Sequence, residues 1–213
     1  MPIVSHRKKF IFVSNPKAAS TSIESVLAVY QDLPGLNDVA RSGYFSRRHL
    51  PAVEVSRAVG ARIWSSYFTF GVVRHPFEWI ASIVAYDAVR NGYEAPTDRL
   101  INTEDVRAVY DRLVAYRAVP YSATAAQSAY LCDLRGSACV DSVIAVEQLS
   151  DCWPSLLARL QIDYVRLPKL NRTSHPPASA WLSDSAKRMI QQFWAGDFRL
   201  YDSARRAGRA QIR

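Results

Sequence analysis

Residues 10–27, FIFVSNPKAASTSIESVL, constrain this chain more than any other stretch. Phe10-Ile11-Phe12-Val13 is an apolar run of aromatic and β-branched residues, the composition of a buried strand. Ser14 to Ala19 is a turn of small residues with one cation, Lys17. Ser20 or Thr21 then caps a helix that carries Ile23, Val26 and Leu27 at helical spacing. A strand that passes through such a turn into a helix leaves several backbone N–H groups aimed at one spot, with the helix dipole behind them. Lys17 adds a full charge there. The Ala18-Ala19 backbone supplies N–H groups, and the hydroxyls of Ser20, Thr21 and Ser22 supply further donors. The sum is a site for a phosphate-like anion.

A second junction of the same kind follows. Tyr67 to Val73 (YFTFGVV) reads as a strand, and Arg74-His75-Pro76 leads into a helix running to about Val89, with Pro76 in its first turn. Helical side chains lean toward the N-terminus, so Ser82 in the second turn reaches back toward Arg74. A guanidinium and a hydroxyl then converge on a second anion. The strands are apolar along their whole length and alternate with helices. That pattern implies a three-layer α/β fold, a central parallel sheet flanked by helices. Ligands of such sheets bind beyond the carboxyl ends of the strands, where both junctions lie.

Between the junctions, Asp32 to Ser46 is a polar loop, and Pro51 to Val59 is a short helix with proline in its first turn and Gly60 after its end. His49 precedes that helix. It reads either as a surface residue beside Arg47 and Arg48 or as a catalytic group carried on a loop. Downstream, helices are expected over Thr103–Tyr116 (Thr103 as cap), Ser122–Leu131, Asp151–Leu160 and Ser183–Phe193, with a third strand over Asp141–Glu147. Tyr130 and Leu131 read as core; Gln127 stays open. Pro168 to Pro177 is a polar loop.

The length of 213 residues suits one domain, expected over residues 1–202, with a basic tail at 203–213 whose four arginines face no acid. A formal net charge of +8 implies an anionic partner or substrate. The excess is spread out rather than built into the basic stripe that nucleic acid demands. No apolar run spans a bilayer and none has the form of a signal peptide, so a cytoplasmic protein without a membrane span is expected. Cys132, Cys139 and Cys152 are expected as free thiols, with a Cys132–Cys139 bridge left open. No histidine or cysteine stands at metal-ligand spacing, so no metal site is expected.

A nucleotidase P-loop would set a glycine-lysine pair directly before Ser/Thr, where this chain has alanines. The order Pro16-Lys17-x-x-Ser20-Thr21-Ser22 instead resembles the 5′-phosphosulfate loop of sulfotransferases that use 3′-phosphoadenosine 5′-phosphosulfate (PAPS). Arg74-x-Pro76-x-x-x-x-x-Ser82 resembles their 3′-phosphate motif, and the span from His49 to Trp79 is similar to the carbohydrate sulfotransferase branch. So are Gln127-x-x-Tyr130-Leu131 and the ending Phe193 to Tyr201. The resemblance implies a P-loop-like sulfotransferase fold and sulfuryl transfer from PAPS to an acceptor hydroxyl on a carbohydrate or sugar-containing small molecule. Adenosine 3′,5′-bisphosphate (PAP) leaves.

Lys17 would neutralise the charge that develops on the leaving phosphate, and His49 would serve as base, as a histidine does at that place in the branch. The loop with Asn171 and Arg172 would close over the nucleotide. Two departures stand out: Ala18-Ala19 replaces the usual Thr-Gly pair, and His75 stands where the branch often has Asn. No membrane anchor is expected ahead of the domain, unlike the Golgi members. The alternatives are a Mg-ATP-using kinase or nucleotidase and a basic nucleic-acid-binding protein. The sequence leaves the oligomeric state open.

Overall fold

A computed structural model describes residues 1–33, 49–95, 97–115, 126–170 and 173–212. Its four-stranded sheet has the order β1 (Ile3–Ser5), β2 (Phe10–Val13), β3 (Phe68–Val73), β4 (Ser142–Ala145). In chain order, the helices among the described residues are α1 (Ser20–Leu27), α2 (Ala52–Val59), α3 (Ala61–Ser66), α4 (Pro76–Arg90) and α5 (Thr103–Ala115). They continue with α6 (Ser128–Leu131), α7 (Val146–Arg159), α8 (Ala178–Trp181), α9 (Asp184–Phe193) and α10 (Ala195–Ala207).

β2, β3 and β4 run parallel, with Val13 opposite Gly71 and Val73 opposite Ala145. Alternation along each strand sends Phe10, Phe12, Phe70, Val72 and Ile144 into a core closed by α1 and α7. Ile11, Val13, Val73, Val143 and Ala145 point the other way, into a core closed by α2, α6 and α10. Both faces are therefore covered, and the expected three-layer α/β architecture is the one found. A third core, made by α4, α5, α8 and α9, holds Trp79, Trp181 and Trp194.

Several local expectations are corrected. β1 pairs antiparallel with β2, Ile3 opposite Phe12, and so adds an antiparallel edge to the parallel sheet. Three residues among charged neighbours are too few to show a period in sequence. Pro51 is the cap of α2 rather than part of its first turn, and α3 follows at once after Gly60. Asn102, not Thr103, caps α5: its Oδ1 accepts from the N–H groups of Glu104 (2.9 Å) and Asp105 (3.0 Å). β4 stops at Ala145 and α7 begins at Val146, five residues before Asp151, and it accommodates Pro154 inside the helix.

Of the helix expected over Ser122–Leu131 only Ser128–Leu131 is helical among the described residues. The boundary expected at 202/203 falls inside α10. That helix continues to Ala207 and a 3₁₀ turn, Gly208–Ile212, because Leu200, Tyr201 and Ala204 extend one apolar face and Ile212 is buried against α7. Cys132, Cys139 and Cys152 are free thiols.

One close approach positions the site. A Cβ on Gly71 would lie 2.4 Å from a terminal methyl of Leu131. The missing side chain lets α6 settle onto β3 and brings Gln127 against the strand's end.

Candidate functional site: two strand-to-helix junctions at one edge of the sheet

Strands β2 and β3 are neighbours and parallel, about 4.8 Å apart, so the two loops leave the sheet side by side. Where β2 ends, the Asn15 side chain takes over the ladder: its Nδ2 donates to the carbonyl of Val72 at 3.0 Å. Ser14 and Asn15 are both buried. The turn then takes an unexpected form. Lys17 and Ala19 both adopt φ 58°, the left-handed region that favours glycine. Ala19, not Ser20 or Thr21, is the N-cap of α1, and no side chain caps this end. The N-cap residue therefore offers no side-chain acceptor to the first-turn N–H groups. The Ser22 hydroxyl accepts from the N–H of Leu170 at 3.1 Å and so draws the polar loop onto α1. Asn171 and Arg172, the next two residues of that loop, lie outside the described residues.

The second junction is held differently. The Nδ1 of His75 accepts from the N–H of Phe77 (3.3 Å) and caps α4, and Pro76 occupies the first helical position. The imidazole lies among Phe77, Phe198 and Tyr201. Burial pulls its pKa down, which favours the neutral form that caps. The backbone of Arg74 is gripped at both groups by the Gln127 amide: its N–H donates to Oε1 at 2.8 Å, and its carbonyl accepts from Nε2 at 2.8 Å. Gln127 is fixed in turn, since its own N–H and that of Ser128 both donate to the Asp197 carboxylate at 2.8 Å. Asp197 is buried, which pushes its pKa up, while these N–H groups favour the charged form. Asp197 and Gln127 are the residues that sequence reasoning left without a role. The one available signal was an acid set inside the aromatic run FWAGDF.

α4 joins the junctions. Trp79, Ser82 and Tyr86 recur at helical spacing on one face. The Trp79 indole N–H donates to the carbonyl of Pro16 at 2.9 Å, and the ring of Tyr86 lies 4.1 Å below the Lys17 ammonium. Ser82 is buried. Lys17 has its pKa lowered to about 8, first by burial, then by the charge of Arg74, with Asp87 opposing. The two cations expected from the two motifs are therefore close enough for the charge of one to act on the other. In this state Arg74 pairs with Glu78 (3.3 Å), whose other oxygen accepts from the N–H of Ala178 at 2.8 Å.

His49 also reaches this edge. Its Nδ1 stands 3.0 Å from the Ser14 hydroxyl and 3.1 Å from the Ser14 carbonyl, and its ring meets Tyr130 edge-on. The other histidines are engaged differently: His6 on the Tyr67 hydroxyl, His75 as the cap of α4 just described, His175 stacked on Trp181. Glu147, a further acid near the junctions, accepts from the N–H of His75 at 3.3 Å. Among the described residues no group of three or more His, Cys, Asp or Glu could hold a metal ion, and no helix is long and apolar enough to cross a membrane.

The model of the sulfotransferase family matches residues 2–203, nearly the whole chain, which spans both junctions and α10 up to its last turn. No curated protein and no solved structure matches the chain. The chain belongs to the sulfotransferase family.

Proposed function

We propose that this member of the sulfotransferase family moves a sulfuryl group from PAPS to an acceptor hydroxyl, with a carbohydrate or sugar-containing small molecule as acceptor. The observation that carries the reading is the convergence of Lys17 and Arg74 at the carboxyl ends of adjacent parallel strands, joined by one face of α4. A donor nucleotide with phosphates on both the 3′ and 5′ positions needs two separate cationic sites. In this reading Arg74 and the buried Ser82 hydroxyl take the 3′-phosphate. Lys17, the N–H groups from Ala18 onward and the hydroxyls of Ser20, Thr21 and Ser22 surround the 5′-phosphosulfate. Asn171 and Arg172 close over the nucleotide from the loop that Ser22 holds.

The acceptor oxygen attacks sulfur in line. The new O–S bond forms as the bond from sulfur to the phosphate oxygen breaks, and its electron pair stays on PAP. Lys17 meets the negative charge that grows on that oxygen, an interaction stronger in the transition state than in the ground state. His49 accepts the proton of the acceptor hydroxyl. The sulfuryl group carries less charge than a phosphoryl group, so the cations of the chain itself suffice.

The test is incubation with labelled PAPS and a panel of glycans, phenols and lipids, without magnesium. Label appearing on a glycan hydroxyl is the expected result. Tight Mg-ATP binding with no transfer from PAPS would overturn it in favour of a nucleotide kinase or nucleotidase.

A further inference from the structure

Ser14 is fully buried at the end of β2 and touches three groups at once. Its hydroxyl lies 2.8 Å from Oε1 of Glu24 on α1, 3.0 Å from Nδ1 of His49, and 3.4 Å from the N-terminal ammonium of Met1. We propose that Glu24, acting through the Ser14 hydroxyl, is a positioning residue that sets which nitrogen of His49 carries the proton and supports the charge His49 gains. This rests on the reading of His49 as the base.

The argument is a count of hydrogens. A hydroxyl has one, and an ionised carboxylate only accepts, so the Ser14 hydrogen goes to Glu24. Toward His49 the hydroxyl then has only a lone pair to offer, and Nδ1 must be the donor. The second contact agrees independently. The Ser14 carbonyl, 3.1 Å from the same Nδ1, can only accept. The ammonium of Met1 takes the remaining lone pair of the hydroxyl and also pairs with Glu24. In its neutral form His49 therefore carries its hydrogen on Nδ1 and leaves Nε2 as the basic nitrogen.

The chemistry follows from this tautomer. When the acceptor O–H bond breaks, its proton forms a bond to Nε2, and the oxygen pair attacks sulfur. The imidazolium that results keeps its Nδ1–H on Ser14, with the Glu24 carboxylate one hydrogen bond further on. Among the described residues, the contacts known to face this chain are Glu24 from α1, the Met1 ammonium beside β1, and Tyr130 from α6. Burial pushes the Tyr130 phenol pKa up and keeps it neutral. Arg47 and Arg48, which precede His49, lie outside the described residues.

Nitrogen NMR of the imidazole in the full-length protein tests the idea without turnover. The wild type should show the Nδ1–H tautomer. In Glu24→Gln the amide can donate to Ser14, the ammonium of Met1 loses its counter-charge, and the His49 titration midpoint should fall by about one pH unit. The acid limb of kcat/KM should move with it, while KM for PAPS stays unchanged. Ser14→Ala removes the link without touching either charge. In that background Glu24→Gln should shift the midpoint clearly less than it does in the wild type, because only the part relayed through the hydroxyl is lost, and a shift of equal size would overturn the relay. An Nε2–H tautomer in the wild type, or an unmoved midpoint in Glu24→Gln, overturns the proposal. Full turnover by His49→Ala would instead remove the base assignment, and the NMR result would still decide whether Glu24 governs the protonation of His49.

Discussion

The two junctions do the same topological job in opposite ways. At the first, two non-glycine residues sit at φ 58°, the helix end has no side-chain cap, and the cation is a half-buried lysine with a lowered pKa. At the second, the helix is capped by His75, begun by Pro76, and its arginine is gripped along the backbone by Gln127. The second is assembled before any ligand arrives. The first stores strain, on the order of 1–3 kcal/mol for each residue held in a sparsely populated region. It is kept in shape by Trp79 and Tyr86 from its neighbour. Under the proposed function, strain and an adjustable charge would stand where the bond is broken, and a fixed charge where a phosphate is only held.

Lys17→Ala should break that contrast hardest. Turnover with PAPS should fall on the order of 100-fold or more, with PAP affinity changed much less, since the lysine acts on charge that develops during transfer. Steady-state kinetics beside calorimetry separates the two quantities, and wild-type turnover would remove the role. Arg74→Ala should show the reverse pattern. The preference for PAP over AMP should drop by roughly 10- to 100-fold, the worth of one charge-assisted hydrogen bond, and Ser82→Ala should lose a smaller part. Calorimetry without magnesium reads both.

The contrast sharpens with pH. Lys17 is charged below about 8 and neutral above, so turnover with PAPS should fall as pH rises through that value, with PAP affinity changing much less. Arg74 stays charged throughout, so Lys17→Arg should flatten the profile.

Stability gives the two smallest effects, of opposite sign. His75→Ala should cost about 1 kcal/mol as α4 loses its cap, while His75→Asn keeps an acceptor and costs less. Ala19→Gly should raise stability by about 0.5–1 kcal/mol by relieving a left-handed alanine. Thermal unfolding measures both, and an Ala19→Gly variant less stable than wild type would contradict the strain at the first junction.

Much of this was legible in the chain. Phe10–Val13 and Phe68–Val73 announced themselves because strands buried on both faces are apolar at every position. Lys17, Arg74 and Ser82 could be placed by local spacing alone, since a turn and one helical period fix where they point. Ser14, Asn15, Gln127, Tyr86 and Asp197 could not. Each works through a partner far away in sequence, as Gln127 does between Arg74 and Asp197, and no local period records that. The caps were misjudged for a related reason: Ser20 is a good capping residue, but the turn at Ala19 leaves its hydroxyl out of the capping role.

The sequence by itself determined the elements that carry the charge: two apolar strands, two turns, one lysine and one arginine. Those are consequences of composition and period within a dozen residues. Tertiary structure decided that the two turns leave the sheet side by side, that the lysine loses part of its hold on a proton there, and that His49 comes to lie on Ser14 at the end of β2. Strand order, the seating of Leu131 on Gly71 and the face of α4 set those outcomes. They depend on which surfaces remain to be buried once the whole chain has folded.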